Sequence, residues 1–376
     1  MKNIVVVLPV LPHYRIDLLT LLSKELNNKD IKLTVVSGTN AGKKSVKEIE
    51  NTPFELIKNK TSGVTVSKFE IQWQTGLIRS ILKIKADKVV ILYHAGKINH
   101  NILLLSLQLR KIPYVLWGSG SGDRRTDLST LQRKMKSLFK HLFIKNSSAY
   151  LTYGTRFKEQ LQLQGYPKER IFVAQNTINV EQIYKELKSN KTSNDGNKLR
   201  FLFVGVIFAN KRLDTAIKAF GKLASQGFQF KFDIVGNGEI IAELKELATE
   251  EGVSEMVEFH GPKYADDLAA FFQSADVFIL PGTGGLAINE AMAYSLPVIT
   301  TPGDGTAYDL VQENENGFIL NFDYSQEELE KRIMSFLKLN KTDLLKMGQL
   351  SLEVVKQKAT LDNMVKQIVR SIEFSE

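Results

Sequence analysis

Residues 275–301 read "ADVFILPGTGGLAINEAMAYSLPVITT", and this stretch decides the fold. The run "VFIL" predicts a buried strand, "GTGG" a turn, "LAINEAMAYS" a helix and "PVITT" the next strand. Strands that alternate with helices form parallel sheets, and both faces of such sheets are covered, which requires continuous runs of Val, Ile and Leu. The stretch therefore predicts a doubly wound α/β domain.

The same alternation recurs along all 376 residues. Further strands are predicted at "KNIVVVLPV", "IKLTVVSG", "KVVILYHAG", "IPYVLWGSG", "LRFLFVGVI" and "FKFDIVGNG". A segment without apolar residues, "KSNKTSNDGNK", indicates a linker. We predict two Rossmann-like domains facing across a cleft, at residues 1–187 and 198–355, joined by a linker at 188–197. The last segment, 356–376, is predicted to be a helix that crosses back onto the first domain.

Composition excludes several classes of protein. The chain has no cysteine, which excludes disulfides and thiolate metal sites and suits a reducing cytosol. The apolar N-terminal segment is too short for a signal peptide and is predicted to be a strand. No run of eighteen apolar residues occurs, so we expect no transmembrane helix and a cytoplasmic protein, with peripheral attachment to the membrane as an option.

The net charge of +9 is unevenly distributed. Residues 1–200 contain 34 Lys and Arg against 15 Asp and Glu, whereas residues 201–376 contain 16 against 26. A basic half suggests an anionic partner such as lipid headgroups, a lipid diphosphate or nucleic acid. The alternative is a lysine-rich, solvated surface. Residues 131–145 add a predicted basic amphipathic helix, which suits either an anionic membrane or an ordinary protein surface.

The glycine-rich turn is the first candidate binding site. Glycines at 282, 284 and 285 would allow positive φ and close approach of a ligand, and the following helix directs its first N–H groups outward, where they bind anions. Gly282 through Leu286, including Thr283, are therefore candidate ligand contacts; a tight turn that merely requires glycine is the alternative. Glu290 would accept hydrogen bonds from a ribose diol, unless it is an ordinary exposed helix glutamate.

Ligands of open parallel sheets bind beyond the carboxyl ends of the strands. Four loops of the second half begin at such strand ends, after Gly205, Gly236, Pro281 and Pro302. Lys211 in the first of these loops suits a diphosphate, and the neighbouring Arg212 could share that role. Further candidates in these loops are Gly205, Gly236 and Asn237. Gly261 and Pro262, in another loop after a predicted strand, could pack against a nucleobase. In the first half, candidates for the acceptor side follow predicted strands: His13, Tyr14, Arg15, Arg124 and Arg125.

These segments resemble the GT-B glycosyltransferases, specifically the family 4 group that builds bacterial surface glycans. Four segments carry the resemblance: "FLFVGVIFANKRLDTAIKAF", "FDIVGNGE", the stretch at 275–301 and "LVQENENGFIL". It implies that Glu290 holds the donor ribose, that Lys211 binds phosphate, and that the backbone at 284–286 meets the diphosphate and the sugar. It also implies retention of anomeric configuration, with the leaving phosphate deprotonating the acceptor.

The chain departs from the family pattern at two positions. The family usually has a glutamate that contacts the donor sugar where this chain has Gly282, and an arginine where it has Val206. The diphosphate charge then needs another partner, for which Arg212, Arg124 and Arg125 are candidates.

We therefore predict a metal-independent glycosyltransferase without a cofactor, in which Lys211, Glu290 and His94 form the catalytic centre, with His94 near the reacting carbon. It would move a sugar from a nucleotide-diphosphate sugar to a lipid-linked or glycan acceptor in capsule, O-antigen or lipopolysaccharide synthesis. A sugar-nucleotide epimerase of the same fold is one alternative. A non-catalytic membrane or nucleic-acid binder is another, although no nucleic-acid motif is present and we expect no nucleic-acid partner.

Overall fold

The computed structural model describes residues 1–39, 51–66, 69–93, 98–118, 141–186 and 198–374. The chain divides into two compact units. The first comprises residues 1–178 and 361–376, and the second comprises residues 179–360. Each unit is built around its own parallel sheet.

The first unit contains a seven-stranded sheet with the order β3-β2-β1-β6-β7-β8-β9, in which neighbouring strands are parallel. A separate antiparallel hairpin, β4-β5, follows β3. The strands are β1 (Lys2–Leu8), β2 (Ile31–Gly38), β3 (Glu55–Asn59), β4 (Thr61–Val66), β5 (Phe69–Gln74), β6 (Lys88–Leu92), β7 (Tyr114–Gly118), β8 (Ala149–Thr152) and β9 (Ile171–Val173).

Helices cover both faces of this sheet. Successive side chains of a strand point to opposite faces, so apolar strands need an apolar partner on each side. In β1, Val6 and Leu8 enter one apolar core, and Val5 and Val7 enter the other. The labelled helices are α1 (Ile16–Asn27), α2 (Leu77–Ile84), α3 (Ile98–Leu109), α4 (Thr155–Leu163) and the C-terminal α13 (Leu361–Glu373). Helix α13 packs against α1, and its Met364 and Ile368 enter the same core as Val6.

The second unit contains a six-stranded parallel sheet with the order β12-β11-β10-β13-β14-β15. Its strands are β10 (Leu199–Val204), β11 (Phe230–Val235), β12 (Val257–Gly261), β13 (Val277–Leu280), β14 (Val298–Thr300) and β15 (Gly317–Ile319). Its helices are α5 (Val180–Glu186), α6 (Leu213–Ser225), α7 (Ile241–Glu250), α8 (Ala265–Ser274), α9 (Leu286–Ala293), α10 (Ala307–Leu310), α11 (Gln326–Leu337) and α12 (Lys341–Lys358).

Aromatic packing holds helix α6 on the sheet of this unit. The ring of Phe220 in α6 lies 4.6 Å from that of Phe230 and 4.8 Å from that of Phe232, both in β11, and 5.0 Å from that of Phe201 in β10. All four rings are fully buried. Burial of aromatic side chains is among the largest apolar contributions to a core, so β10, α6 and β11 form one rigid β-α-β element.

The unit boundaries lie a few residues from the positions taken from the sequence. Helix α5 belongs to the second unit because it contacts α9 and α12, although the sequence groups it with residues 1–187. Residues 356–360 also belong to the second unit, since α12 extends to Lys358. The predicted linker at 188–197 lies outside the described residues.

All eight strands predicted from the sequence are present, and the predicted fold class of two doubly wound α/β units is confirmed. Among the described residues, none of the helices combines the length and the apolar character that spanning a bilayer requires.

Candidate nucleotide-sugar site

The candidate site lies in the second unit, at the carboxyl ends of β10, β11, β13 and β14. Strand β13 ends at Leu280, and helix α9 begins at Leu286, with Gly285 as its N-cap residue. The intervening turn is the glycine-rich segment at 281–285. Since the first N–H groups of a helix have no partner within that helix, the start of α9 presents donors and the positive end of a helix dipole.

Adjacent loops at this edge approach each other at backbone distance, and glycines make the approach possible. A Cβ atom at Gly236 would lie 1.8 Å from the carbonyl oxygen of Gly205, and one at Gly303 would lie 1.9 Å from that of Gly284. A Cβ atom at Gly238 would lie 1.8 Å from the carbonyl oxygen of Ile207. The loops after four neighbouring strands therefore form one continuous surface.

The glycines of the turn at 282–285 are required for a different reason from the one that the sequence suggests. None of these glycines adopts a positive φ, so the expectation that the turn uses this conformation is wrong. A Cβ atom at Gly282 would lie 2.1 Å from the carbonyl oxygen of Asn210, and one at Gly284 would lie 2.3 Å from the side chain of Leu280. Other atoms of the chain occupy the space that a side chain at either position would need. Position 282 therefore cannot hold a glutamate unless the loop containing Asn210 moves.

Lys211 is brought to the glycine-rich turn by this loop contact. The amide of Thr283 donates to the carbonyl oxygen of Asn210 at 3.0 Å, and the ammonium group of Lys211 donates to the carbonyl oxygen of Thr283. Burial lowers the pKa of Lys211. The structure thus places a partly desolvated cation beside the start of α9, as a diphosphate site requires.

Glu290 lies in the second turn of α9 and is half-buried. Burial raises the pKa of its carboxyl group to about 7. A carboxylate without a compensating charge is costly to bury, and such groups are frequent at functional sites. This environment distinguishes Glu290 from an ordinary exposed helix glutamate.

A second carboxylate, Asp304, lies beside the N-cap of α9 and is not among the candidates that the sequence indicates. Its Oδ2 atom lies 2.5 Å from the point where a Cβ atom of Gly285 would stand. Its Oδ1 atom accepts hydrogen bonds from the amide of Thr306 at 3.1 Å and from the Thr306 hydroxyl at 2.7 Å. The motif "PGDGT" was the available signal, because Asp followed by Gly and Thr forms such turns.

The side chain of Arg212 contacts other residues of the second unit. Its guanidinium donates to the carbonyl oxygens of Phe322 at 3.1 Å and Tyr324 at 3.2 Å, and it lies 3.7 Å from the centre of the Tyr324 ring. These contacts give Arg212 a structural role that its position in the sequence does not reveal. Val206, where the family pattern has an arginine, is 46% exposed.

The remaining candidates of this unit are parts of the loop surface. Gly205 donates to the carbonyl oxygen of Val235 at 3.0 Å, and Asn237 accepts from the amide of Ile207 at 2.9 Å. Gly261 has a φ of 66° and precedes Pro262, so the chain turns sharply after β12.

In the first unit, the predicted acceptor residues have different environments. Arg15 is 3% exposed, and its guanidinium donates to the Tyr153 hydroxyl at 3.0 Å and to Asn176 Oδ1 at 2.7 Å, so it is a structural residue of the core. His13 is exposed and Tyr14 is half-buried, with their rings in edge contact at 5.9 Å. His94, Arg124 and Arg125 lie outside the described residues.

One group of possible metal ligands comes together in the described part of the chain, formed by Asp233, Glu258 and His260. Arg200 Nε lies 2.5 Å from Asp233 Oδ2, and His260 Nε2 lies 2.7 Å from Asp233 Oδ1. Arg200 already supplies a positive charge to the buried carboxylate, so this group is an ion-pair network that joins β10, β11 and β12.

Two doubly wound α/β units, the second of which carries this loop surface, are the fold that the sequence resemblance implies. Residues 184–349 match the family described as Glycosyl transferases group 1. The resemblance drawn from the sequence is thereby confirmed.

Individual relatives agree with this assignment. The chain is 28% identical over 195 residues to the putative colanic acid biosynthesis glycosyltransferase WcaL of Escherichia coli K12, a match that covers 49% of this chain and 46% of that protein. The chain thus spans about half the length of this curated relative.

Two solved structures share the fold over almost the whole chain. A glycosyltransferase from Rickettsia africae has a TM-score of 0.71 at 17% identity, covering 100% of this chain and 99% of its own. The Anabaena protein HepE, solved in complex with UDP-glucose, has a TM-score of 0.67 at 16% identity, covering 99% of both chains.

Proposed function

We propose that this protein is a glycosyltransferase that moves a sugar from a nucleotide-diphosphate sugar to a lipid-linked or glycan acceptor during synthesis of a bacterial surface polysaccharide. The observation that best supports this proposal is the contact between Lys211 and Thr283. It holds a cation beside the start of α9, the helix that contains Glu290. A dipole end, a cation and a carboxylate match the diphosphate and the ribose of one ligand. The similarity to WcaL, a putative colanic acid biosynthesis glycosyltransferase, and to HepE, solved with UDP-glucose, supports the same class of reaction and donor.

In the proposed reaction, the acceptor hydroxyl forms a bond to the anomeric carbon while the bond from that carbon to the diphosphate breaks. Negative charge develops on the leaving diphosphate. Lys211 and the first amides of α9 would stabilise this charge, which is the role that a metal ion has in other transferases. The chain is therefore proposed to act without a metal or cofactor. The departing phosphate is proposed to take the acceptor proton, with retention of configuration, so no protein nucleophile is needed.

The protein is proposed to act in the cytoplasm, where nucleotide-sugars are made, with peripheral attachment to the membrane.

The experiment is a donor screen by calorimetry, followed by turnover assays with extracts of lipid-linked and glycan acceptors. We expect one nucleotide-sugar to bind. We also expect nucleotide to be released only when an acceptor is present. An epimerase would instead convert the donor alone, giving an epimer or a glycal without acceptor. Failure of every UDP- and GDP-sugar to bind would contradict the proposal.

A further inference from the structure

Helix α3 of the first unit has apolar side chains on both of its faces. His100, Leu103, Leu104 and Leu107 are buried against the sheet. Four aliphatic residues face outward at spacings of four, three and four, which places them on one face. Their exposed fractions are large: Ile98 47%, Ile102 48%, Leu105 38% and Leu109 87%. We call these four residues the α3 stripe.

The α3 stripe is unusual for a surface helix, whose outer face normally carries charged residues. Helix α3 contains no Asp, Glu, Lys or Arg. Strand β5 packs against α3, and the side chain of Asn99 donates to the carbonyl oxygen of Gln74 at 2.7 Å. The residue before Gln74 is Trp73, which is 36% exposed. The exposed Trp73 therefore lies one residue along the chain from a hydrogen bond to the first turn of α3.

Positive charge surrounds the stripe. Residues 73–111 contain seven Lys and Arg but only one acidic residue, Asp87. Helix α2, which contacts α3, exposes Arg79 and Lys83. Arg110 and Lys111, which follow the stripe directly, are also exposed. Such a surface repels a second copy of itself and attracts an anionic one.

We propose that the α3 stripe, with Trp73 and the flanking cations, docks the protein on an anionic lipid bilayer. Aliphatic side chains at this spacing enter the boundary between headgroups and acyl chains, Trp favours that boundary, and Lys and Arg bind the lipid phosphates. This proposal concerns lipid binding alone and is measured without donor or acceptor, so it stands or fails independently of the proposed reaction.

The test uses the full chain with two kinds of vesicle, phosphatidylcholine alone and phosphatidylcholine mixed with phosphatidylglycerol. Wild-type protein should float with the mixed vesicles and remain unbound with the neutral ones. Ile102→Ser combined with Leu109→Ser should weaken binding by about tenfold or more, because two aliphatic side chains no longer transfer from water. Leu163→Ser is the matched control, since Leu163 is 89% exposed on α4 of the same unit, and this variant should bind normally.

Tryptophan fluorescence gives a second readout. The chain has two tryptophans, of which Trp117 is fully buried and Trp73 is partly exposed. Anionic vesicles should shift the emission to shorter wavelength, and Trp73→Phe should remove the shift. The proposal is overturned if the stripe variant binds as well as wild type while folded by circular dichroism. It is also overturned if wild type forms a dimer without lipid that the stripe variant lacks.

Discussion

The ammonium group of Lys211 donates a hydrogen bond to the carbonyl oxygen of Thr283, 72 residues further along the chain. This contact joins the loop after β10 to the start of α9 and depends on a glycine at position 282, where a Cβ atom would meet Asn210 and Lys211. A cation is therefore built into the start of the helix before any ligand binds.

Lys211→Met should lower kcat/KM for the nucleotide-sugar by about 100-fold, because charge on the leaving diphosphate loses a positioned donor. The length and apolar stem of the side chain are retained. Lys218→Met, in the exposed face of α6, is the matched control and should leave kcat/KM unchanged. Equal activity of the two variants would remove Lys211 from the reaction.

Affinity for the nucleotide-sugar should increase with pH. Burial raises the pKa of Glu290 to about 7, so the free protein holds this proton in mildly acidic solution. Ribose hydroxyls donate more effectively to the ionised carboxylate, so binding releases the proton and is favoured as pH rises. Calorimetry should show affinity rising by up to about tenfold between about pH 6 and pH 8. Glu290→Gln should bind more weakly and without this dependence; a slope that persists in this variant would assign it to another group.

Gly282→Ala should destabilise the second unit by about 1–3 kcal/mol, because the new methyl group overlaps the backbone of Asn210. Thr283→Ala, one residue away, should cost about 0.5 kcal/mol or less. Urea unfolding followed by circular dichroism measures both. Similar stabilities for the two variants would show that the loops separate readily, and the account of position 282 would then be wrong.

Arg212→Gln should act on stability more than on donor binding. The guanidinium stacks on Tyr324 and donates to two carbonyl oxygens, contacts that the amide cannot reproduce. The expected result is a lower Tm with affinity for UDP changed by less than about threefold. A loss of UDP affinity as large as that of Lys211→Met, without a change in Tm, would instead make Arg212 a diphosphate ligand.

Asp304→Asn should raise KM for the nucleotide-sugar while affinity for UDP is maintained. A carboxylate accepts hydrogen bonds from sugar hydroxyls but repels phosphate, so its removal should weaken binding of the sugar without weakening that of UDP. Asp323→Asn, at an exposed position, is the control. A parallel loss of UDP affinity would show that Asp304 supports the loop and does not select the sugar.

Local patterns were sufficient to predict the parallel sheets and the loops that carry the site, since apolar runs and glycine turns are encoded within short segments. The reason for Gly282 could not be predicted, because Asn210 and Lys211 approach it only after β10 and β13 pair. The buried position of Arg15 could not be predicted for the same reason, because its partners Tyr153 and Asn176 are distant in sequence. The α3 stripe also required structure, since "ILLLSLQL" does not reveal which apolar residues remain exposed.

The central claim is that a nucleotide-sugar binds where the loop after β13 meets α9. Hydrogen–deuterium exchange with and without the donor selected by calorimetry tests this claim most directly. Bound donor should slow exchange of the amides at 284–290 and of the segment around Lys211, and Lys211→Met should weaken that protection at equal donor concentration. A donor that binds but protects only other segments would contradict the claim.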